Sequence, residues 1–348
     1  KTQINRFNPG SRTDPNRYPV NWNRTVHVPA AAPKGGVLLL HGLSDSPYSM
    51  RALAKIFQSL DYSTLSLRLP GHGTAPSGLT SVTWQDFSAA TRLAARHVSQ
   101  HVGADKPLYI VGYSNGAALA VEYSLAALKG EALPKADGLI LISPAIGVSP
   151  VAALANWQSR LSQIAGFEKL AWTSVLPEFD PFKYNSFAIN AGNQIYQTTQ
   201  AIADLIAQLK NGKGVEGFPR ILAFQSVVDA TVPPKDLIDR LFRNLAPEDH
   251  ELVLFDINRH AEAKQMFVAA PESLTKTLLT DAQLPFRFTL VTNISPASND
   301  IITLNKSAYS ASVTKEALNL AWPQGIISLS HIALPFTSDD PLYGNTTN

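Results

Sequence analysis

Cysteine is absent from this 348-residue sequence. The chain can therefore form no disulfide, and it offers neither a thiolate nucleophile nor a cysteine ligand for a metal ion. The absence says little about cellular compartment, because a chain of this length can bury a large core without covalent cross-links. Chemistry must come instead from hydroxyl, carboxylate and imidazole side chains.

Excess charge and long apolar runs are also missing. The 29 Lys and Arg residues nearly balance the 27 Asp and Glu residues, and no basic cluster of the kind that nucleic-acid binding requires is present. The longest apolar runs, such as residues 36–40 (GVLLL), are strand-sized and far shorter than the ~20 residues of a membrane-spanning helix. We expect no nucleic-acid partner and no stable membrane insertion. The oligomeric state stays open.

The start of the sequence bears on the expected localisation. The chain begins at Lys1 without methionine, in a polar, proline-containing segment, residues 1–19. Either an export signal has been removed or the chain has been trimmed. We expect an exported bacterial protein, whether periplasmic, secreted or membrane-associated.

Strand-like and helix-like patterns alternate along the first 148 residues. Apolar runs such as residues 62–67 (YSTLSL) are followed by segments with helical periodicity, such as residues 84–102. The alternation resumes at residues 220–229 and continues through a helix and another strand. This order predicts βαβ units, and therefore an α/β fold whose mostly parallel central sheet is covered by helices on both faces.

Residues 149–218 interrupt the alternation with two helix-like segments and an aromatic link between them. An insertion of this size after a strand predicts a helical cap over the strand ends, on a core domain of residues 1–148 and 219–348. We expect most of the link aromatics to pack the cap onto the core and the rest to line a pocket. These aromatics are Trp172, Phe179, Phe182, Tyr184 and Phe187. A second irregular region, residues 262–320, holds one further strand pattern, FRFTLVTN.

A serine lies between two glycines where a strand pattern changes into an alanine-rich helix pattern. The stretch is Gly112-Tyr113-Ser114-Asn115-Gly116. A serine on such a sharp turn projects above the carboxyl edge of the sheet, and a Cβ at either flanking position would collide with the neighbouring strand or helix. A serine that merely caps a helix explains Ser114 but not both glycines. We therefore predict that Ser114 is a nucleophile.

A hydroxyl nucleophile also needs donors for the oxyanion that its attack creates. His41-Gly42-Leu43 stands at the end of an earlier strand pattern. In this arrangement one donor comes from the loop after that strand and the other from the residue after the nucleophile. The predicted donors are thus the backbone N–H groups of Leu43 and Asn115. His41 is expected to brace the loop, and residues 70–76 (PGHGTAP) to form another loop beside the site.

A family resemblance is carried by five segments between about residues 36 and 344: LLLHGLSDSPYSMR, LSLRLPGHGTAP, VGYSNGAALA, FQSVVDATVPP and SLSHIALPFTSDDPLYG. They resemble the α/β-hydrolase superfamily and, within it, the bacterial esterase/lipase branch related to monoacylglycerol lipases. The resemblance implies a Ser–Asp–His triad, no cofactor and an acyl-enzyme route through carboxylic esters. The sequence shows no Gly-rich phosphate loop, dinucleotide fingerprint or His-x-x-x-His metal spacing.

Asp229 ends the strand pattern of residues 220–229 and precedes a turn with two prolines. In the family pattern, an aspartate at this strand end orients the catalytic histidine and stabilises its imidazolium. The alternative is an aspartate that caps the helix beginning near Pro234, but Lys235 and Asp236 stand closer to that start. We assign Asp229 as the triad acid.

Two histidines compete for the role of base. His260 follows Asp229 at the ordinary interval between acid and histidine, but it runs into a helical pattern. His331 ends a β-rich run and precedes an irregular, proline-marked stretch suited to an active-site rim. The resembling sequences carry their histidine in the Ser-His stretch before the Asp-Asp-Pro motif. We assign His331 and keep His260 as the alternative.

The expected activity is hydrolysis of small-molecule or lipid carboxylic esters. Apolar cap residues, including Leu170, Trp172 and Leu176, indicate a pocket for an acyl chain or a bulky alcohol. A peptidase, an amidase or a thioesterase on the same fold would share the triad. A peptidase would need an acidic cluster to bind a free amino terminus, and the cap offers only the scattered Glu168, Glu178 and Asp180. A non-catalytic binding protein fits least, because no triad residue is missing.

Overall fold

The computed structural model describes residues 5–147, 171–229, 231–257, 271–322 and 340–343. The described strands are β1 (Val26–Val28), β2 (Gly35–Leu40), β3 (Tyr62–Leu67), β4 (Leu108–Tyr113), β5 (Gly138–Ile142), β6 (Trp172–Ser174), β7 (Phe187–Ala188), β8 (Arg220–Ser226), β9 (Glu251–Asp256), β10 (Arg287–Asn293), β11 (Asp300–Lys306) and β12 (Val313–Ala321). The described α-helices are α1 (Arg51–Ser59), α2 (Trp84–Val102), α3 (Asn115–Leu128), α4 (Ile189–Leu209), α5 (Pro234–Arg240) and α6 (Pro271–Thr280).

One large sheet organises the molecule. Its strand order is β1-β3-β2-β4-β5-β8-β9-β10-β11-β12, and β6 pairs separately with β7. Pairing is parallel from β3 through β10, whereas β1, β11 and β12 join antiparallel at the two ends. The predicted α/β class with a mostly parallel central sheet is confirmed. Among the described helices, none has the length and apolarity needed to cross a membrane.

The central strands and α3 form the core of the molecule, and neighbouring elements cover them on all sides. Every residue of β2 is buried, as expected for a strand with helices on both sides. In α3 the residues from Asn115 to Ala126 are all buried, so this helix is enclosed by its neighbours. Its partner α4 contributes Ile202 and Ile206 to the same apolar cluster.

The predicted cap, residues 149–218, is described only in its second part. Its first helical segment lies outside the described residues, as does Leu170, so the cap stays a prediction. Of the link aromatics, Phe182 and Tyr184 are buried, whereas Phe179 is 52% exposed. Trp172 and Phe187 pack half-buried against the core. Tyr184, Trp172 and Phe187 thus pack against the main apolar cluster, whereas the packing of a cap onto the core stays a prediction.

The region of residues 262–320 contains more regular structure than its sequence pattern predicts. The expected strand is present as β10, but β11 and β12 follow it as an antiparallel hairpin. All nine residues of β12 are exposed. A strand that buries neither face needs no alternation of apolar and polar residues, and this explains why its sequence reads as irregular.

Candidate active site

Ser114 occupies a sharp turn between β4 and α3. Its φ of 53° and ψ of −113° place it in a conformation that non-glycine residues rarely adopt, and it is 8% exposed. The turn is held by main-chain hydrogen bonds to the end of β5. The N–H of Ser114 donates to the carbonyl of Ile142 (2.9 Å), and its carbonyl accepts from the N–H of Ala145 (3.2 Å). Such strain persists only where the surroundings enforce it.

The two flanking glycines are required by their neighbours. A Cβ on Gly112 would lie 2.4 Å from Cα of Ala117, and one on Gly116 would lie 2.2 Å from the carbonyl oxygen of Leu40. Both partners are backbone atoms that cannot rotate away. The predicted collision with helix and strand is confirmed, and the close approach brings the first turn of α3 against the end of β2.

The loop after β2 lies beside Ser114. A Cβ on Gly42 would lie 3.1 Å from the ring of Tyr113, the residue before the serine. Leu43 follows on this loop, and Asn115 is the first residue of α3, where N–H groups have no intrahelical acceptor. In the described part of the chain neither the Leu43 N–H nor the Asn115 N–H has an acceptor. Asn115 adjoins Ser114 in the chain and Gly42, the residue before Leu43, lies against Tyr113, and the role of the two N–H groups as oxyanion donors stays a prediction.

His41 braces this loop. The Leu69 N–H donates to Nε2 of His41 (3.1 Å), so the ring proton is assigned to Nδ1, which donates to the Gly42 carbonyl (2.8 Å). Burial, and then the neighbouring His72, lower the pKa of His41 well below its ordinary value. A neutral ring with both nitrogens engaged has no site for another proton. In a trans peptide the C=O and N–H point in opposite directions, so holding the Gly42 carbonyl also aims the Leu43 N–H.

Three consecutive carbonyls of this loop are held, two by histidine side chains and one by a main-chain N–H group. Besides the Gly42 carbonyl, the Leu43 carbonyl lies 2.5 Å from Nε2 of His72, and the Ser44 carbonyl accepts from the Tyr184 N–H (2.7 Å). His72 belongs to the loop expected beside the site, residues 70–76. Sequence reasoning missed both His72 and Tyr184, and the only available signal was the histidine between two glycines in that loop.

Asp229 lies in the turn after β8, at the same sheet edge as Ser114. It is 3% exposed, and its Oδ1 accepts from the N–H groups of Thr231 (2.9 Å) and Val232 (3.0 Å). These bonds shape the turn, and α5 begins only afterwards. Burial and the negative charges of Asp45 and Asp229 raise the pKa of Tyr113. The Asp229 carboxylate therefore acts on the end of the strand that carries the serine.

Both candidate bases, His331 and His260, lie outside the described residues, and so does Glu168. The assignment of the base stays a prediction. The two described acidic residues of the cap link are buried, and their oxygens accept hydrogen bonds. Glu178 accepts from the N–H groups of Asn185 and Ser186, and Asp180 accepts two main-chain N–H groups and the Tyr343 hydroxyl. Within the described ranges, no group of three His, Asp or Glu side chains is placed to hold a metal ion.

Comparison with known proteins adds a family to this geometry. The sequence model of the serine aminopeptidase S33 family matches residues 31–263. A thermostable monoacylglycerol lipase from Bacillus sp. strain H-257 is 29% identical over 118 residues, which are 34% of this chain and 44% of the relative. The match thus spans less than half of that relative.

Two solved structures share the fold. A structure reported for the metagenome-derived lipolytic enzymes LipS and LipT superposes with a TM-score of 0.54 at 22% identity, covering 68% of this chain and 89% of that one. A monoacylglycerol lipase from Paleococcus ferrophilus superposes with a TM-score of 0.50 at 18% identity, covering 66% and 87%. At these identities the likeness concerns the fold.

Proposed function

The chain belongs to the serine aminopeptidase S33 family of α/β hydrolases, and on that premise we propose that it hydrolyses carboxylic esters through an acyl-enzyme. The observation that carries the proposal is the left-handed Ser114 between two glycines that admit no Cβ, beside a loop whose peptides are held in place. Such a turn is costly and serves to present a side chain. A monoacylglycerol lipase among the relatives supports an ester as substrate.

In the proposed reaction, the Ser114 hydroxyl attacks the ester carbonyl carbon and passes its proton to His331. The oxyanion accepts hydrogen bonds from the Leu43 and Asn115 N–H groups, and the positive end of the α3 dipole adds to its stabilisation. Asp229 orients the histidine, which returns the proton to the leaving alcohol. Water, deprotonated by the same histidine, then attacks the acyl-serine and releases the acid and free Ser114.

The substrate class is proposed as a small-molecule or lipid ester of acylglycerol type. The near-neutral net charge gives no attraction for a strongly anionic ester. Half-buried apolar side chains of the cap link, such as Trp172 against the core, fit an acyl chain better than a polar group. Attack of a serine hydroxyl on an ester carbonyl needs no cofactor.

Peptide hydrolysis is the second candidate, because the matching family is described as a serine aminopeptidase. An aminopeptidase needs a carboxylate that is free to bind the substrate's ammonium group. In the described part of the cap link, the carboxylate oxygens of Glu178 and Asp180 accept hydrogen bonds from main-chain N–H groups and from the Tyr343 hydroxyl. This arrangement favours esters, and aminoacyl amides are the competing substrates to assay.

The test is hydrolysis of p-nitrophenyl esters from acetate to palmitate by the wild-type protein and four variants. Ser114→Ala and His331→Ala are expected to lower kcat by on the order of 10⁴-fold or more. His260→Ala and Ser124→Ala should stay close to wild type. Ser124 is the matched control, because it is a buried serine of the helix that follows Ser114, and its hydroxyl donates to the Ala120 carbonyl within that helix.

If His260→Ala is inactive and His331→Ala stays active, the catalytic base is His260. An active Ser114→Ala would overturn the proposed nucleophile. If the wild type cleaves aminoacyl p-nitroanilides faster than every ester, the peptidase assignment replaces the esterase. Thioester substrates assayed in parallel decide the remaining alternative on this fold.

A further inference from the structure

The amino-terminal segment reaches the loops around the site although it lies outside the family match, which begins at residue 31. Its anchor is Arg6, which is only 5% exposed. The Arg6 N–H donates to the carbonyl of Glu178 (2.8 Å), and its guanidinium Nη2 donates to the carbonyl of Thr74 (2.5 Å). One residue therefore ties the cap link to the loop that carries His72.

Arg6 also begins a column of stacked groups that leads inward. Its guanidinium carbon lies 4.7 Å from the centre of the Tyr184 ring. The Tyr184 ring stacks on the His72 ring, with centroids 6.0 Å apart and an interplanar angle of 13°. The His72 ring in turn lies edge-on to His41, with centroids 4.8 Å apart. The column ends on the two histidines that hold the Gly42 and Leu43 carbonyls.

Tyr184 is fixed at several points besides this stack. Its hydroxyl donates to the Gly71 carbonyl (3.0 Å) and accepts from the Thr74 N–H (3.1 Å), and its own N–H donates to the Ser44 carbonyl. A cation over a desolvated aromatic face is a favourable contact, and it restrains the ring plane. Since the His72 ring stacks on the Tyr184 ring, that restraint is passed on to His72.

His72 responds to its orientation because both of its ring nitrogens face carbonyl oxygens. Nε2 lies 2.5 Å from the Leu43 carbonyl and Nδ1 lies 2.9 Å from the Pro70 carbonyl. Burial lowers the pKa of His72, so the ring is neutral and has one N–H to donate. The shorter contact assigns that N–H to Leu43. A small tilt of the ring would lengthen and bend this hydrogen bond to the Leu43 carbonyl and loosen the loop.

We propose that Arg6 is a positioning residue for the oxyanion hole, acting through Tyr184 and His72 on the Leu43 loop. The inference rests on the proposed function, since it concerns the same site. Leu43 donates to the oxyanion only once the carbonyl carbon has become tetrahedral. Loss of Arg6 should therefore weaken binding of the transition state and leave binding of the intact ester largely unchanged.

The experiment compares Arg6→Ala and Arg6→Lys with Arg12→Ala, which removes an exposed arginine of the same segment. Removing a whole oxyanion donor costs ~10²–10³-fold in kcat, and a misaimed donor should cost about 10-fold. We expect Arg6→Ala to lose about that factor in kcat with KM nearly constant. Its affinity for a trifluoromethyl ketone, which forms a tetrahedral adduct, should fall by the same factor. Arg6→Lys should lie between, and Arg12→Ala should match wild type.

Chemical rescue separates positioning from a general loss of stability. A surface cavity of about 380 Å³ is lined by Arg6, Thr74 and Ala75, so a small cation can enter when the arginine side chain is removed. Guanidinium at millimolar concentration should restore part of the kcat of Arg6→Ala and none of that of Arg12→Ala. Unchanged kcat in Arg6→Ala, or unchanged affinity for the ketone, would overturn the inference while leaving the esterase proposal standing.

If the wild type hydrolyses no ester, the proposed function fails and a structural readout still decides the role of Arg6. The imidazole N–H resonance of His72, assigned by its loss in His72→Gln, should shift in Arg6→Ala and stay in place in Arg12→Ala. An unshifted resonance in Arg6→Ala would mean that Arg6 does not restrain His72. Should Arg6→Ala fail to fold, Arg6→Lys carries the same comparison.

Discussion

The two edges of the central sheet use buried histidine in different ways. At the carboxyl edge, both ring nitrogens of His41 are hydrogen-bonded to main-chain groups, the Leu69 N–H and the Gly42 carbonyl. At the amino edge, His250 accepts one hydrogen bond from the Ile221 N–H (3.2 Å). The rings of Phe218 and Phe242 lie around it.

Both histidines are kept neutral by burial, so the contrast lies in what each ring holds. His41 holds the peptide that carries the proposed oxyanion donor, the Leu43 N–H, whereas His250 bonds to the start of β8 and packs against Phe218 and Phe242 at the opposite edge of the sheet. Damage to the carboxyl edge should therefore appear in turnover, and damage to the amino edge should appear in stability. Four variants test this division between turnover and stability.

The largest effect is expected from Gly116→Ala. The new Cβ would lie 2.2 Å from the Leu40 carbonyl oxygen, so α3 and β2 would have to separate at the point where the oxyanion donors meet. We expect kcat/KM to fall by roughly 10³-fold or more, the scale of losing a whole oxyanion donor, together with a lower melting temperature. The control is Gly192→Ala in α4, where the nearest atom would be 3.7 Å away. Equal turnover in the two variants would contradict the steric account.

His41→Ala should produce the next largest effect on turnover. Without the ring, the Gly42 carbonyl loses its donor and the Leu43 N–H is no longer aimed, so kcat should fall by about 10- to 100-fold, below the cost of deleting a donor outright. KM should change little, because the ground-state ester makes little use of that N–H. Steady-state kinetics on the best p-nitrophenyl ester measures both constants. A change confined to KM would place His41 in substrate binding instead.

His250 should govern part of the acid sensitivity of stability. Burial lowers the pKa of His250 to about 4, whereas an unfolded histidine titrates near ~6.5. Above ~6.5 both states are neutral and the contribution is constant; below it the unfolded state takes up the proton first. This one group should therefore lower the free energy of unfolding by up to ~1.4 kcal/mol per pH unit as the pH falls from ~6.5 towards 4.

The measurement for His250 is urea unfolding at pH 7, 6 and 5 for wild type and His250→Phe. The variant should show a flatter pH dependence, and its kcat at pH 7 should equal that of wild type. Buried His41 and His72 add to the slope in both proteins, so only the difference between the two slopes reports on His250. Parallel slopes, or a reduced kcat, would break the division between the edges.

The smallest effect is expected at the far end of the sheet, with Leu320→Lys. Leu320 is 63% exposed on β12. A substitution at such a position usually changes stability by no more than ~0.5 kcal/mol. Turnover should be unchanged, because β12 is remote from the catalytic edge. A clear loss of kcat would show that the hairpin communicates with the site.

Much of the fold and part of the site could be predicted from the sequence. The need for the glycines on either side of Ser114 could be predicted, because both glycines lie within two positions of the serine. The helix of residues 84–102 is readable from its period, and it matches α2. The partners of the loop carbonyls are not readable, because His72 is 29 positions from Leu43 and folding alone brings them together. The hairpin β11–β12 leaves no apolar period to detect.

β12, the last strand of the sheet in the described part of the chain, has a practical consequence for a chain without cysteine. Six strand spacings separate β12 from β4, the strand that leads to Ser114, which is about 29 Å across the sheet. Glu316→Cys on this exposed strand would introduce the sole thiol of the molecule. A fluorophore or a solid support could be attached there in a defined orientation, with the carboxyl edge left free for substrate.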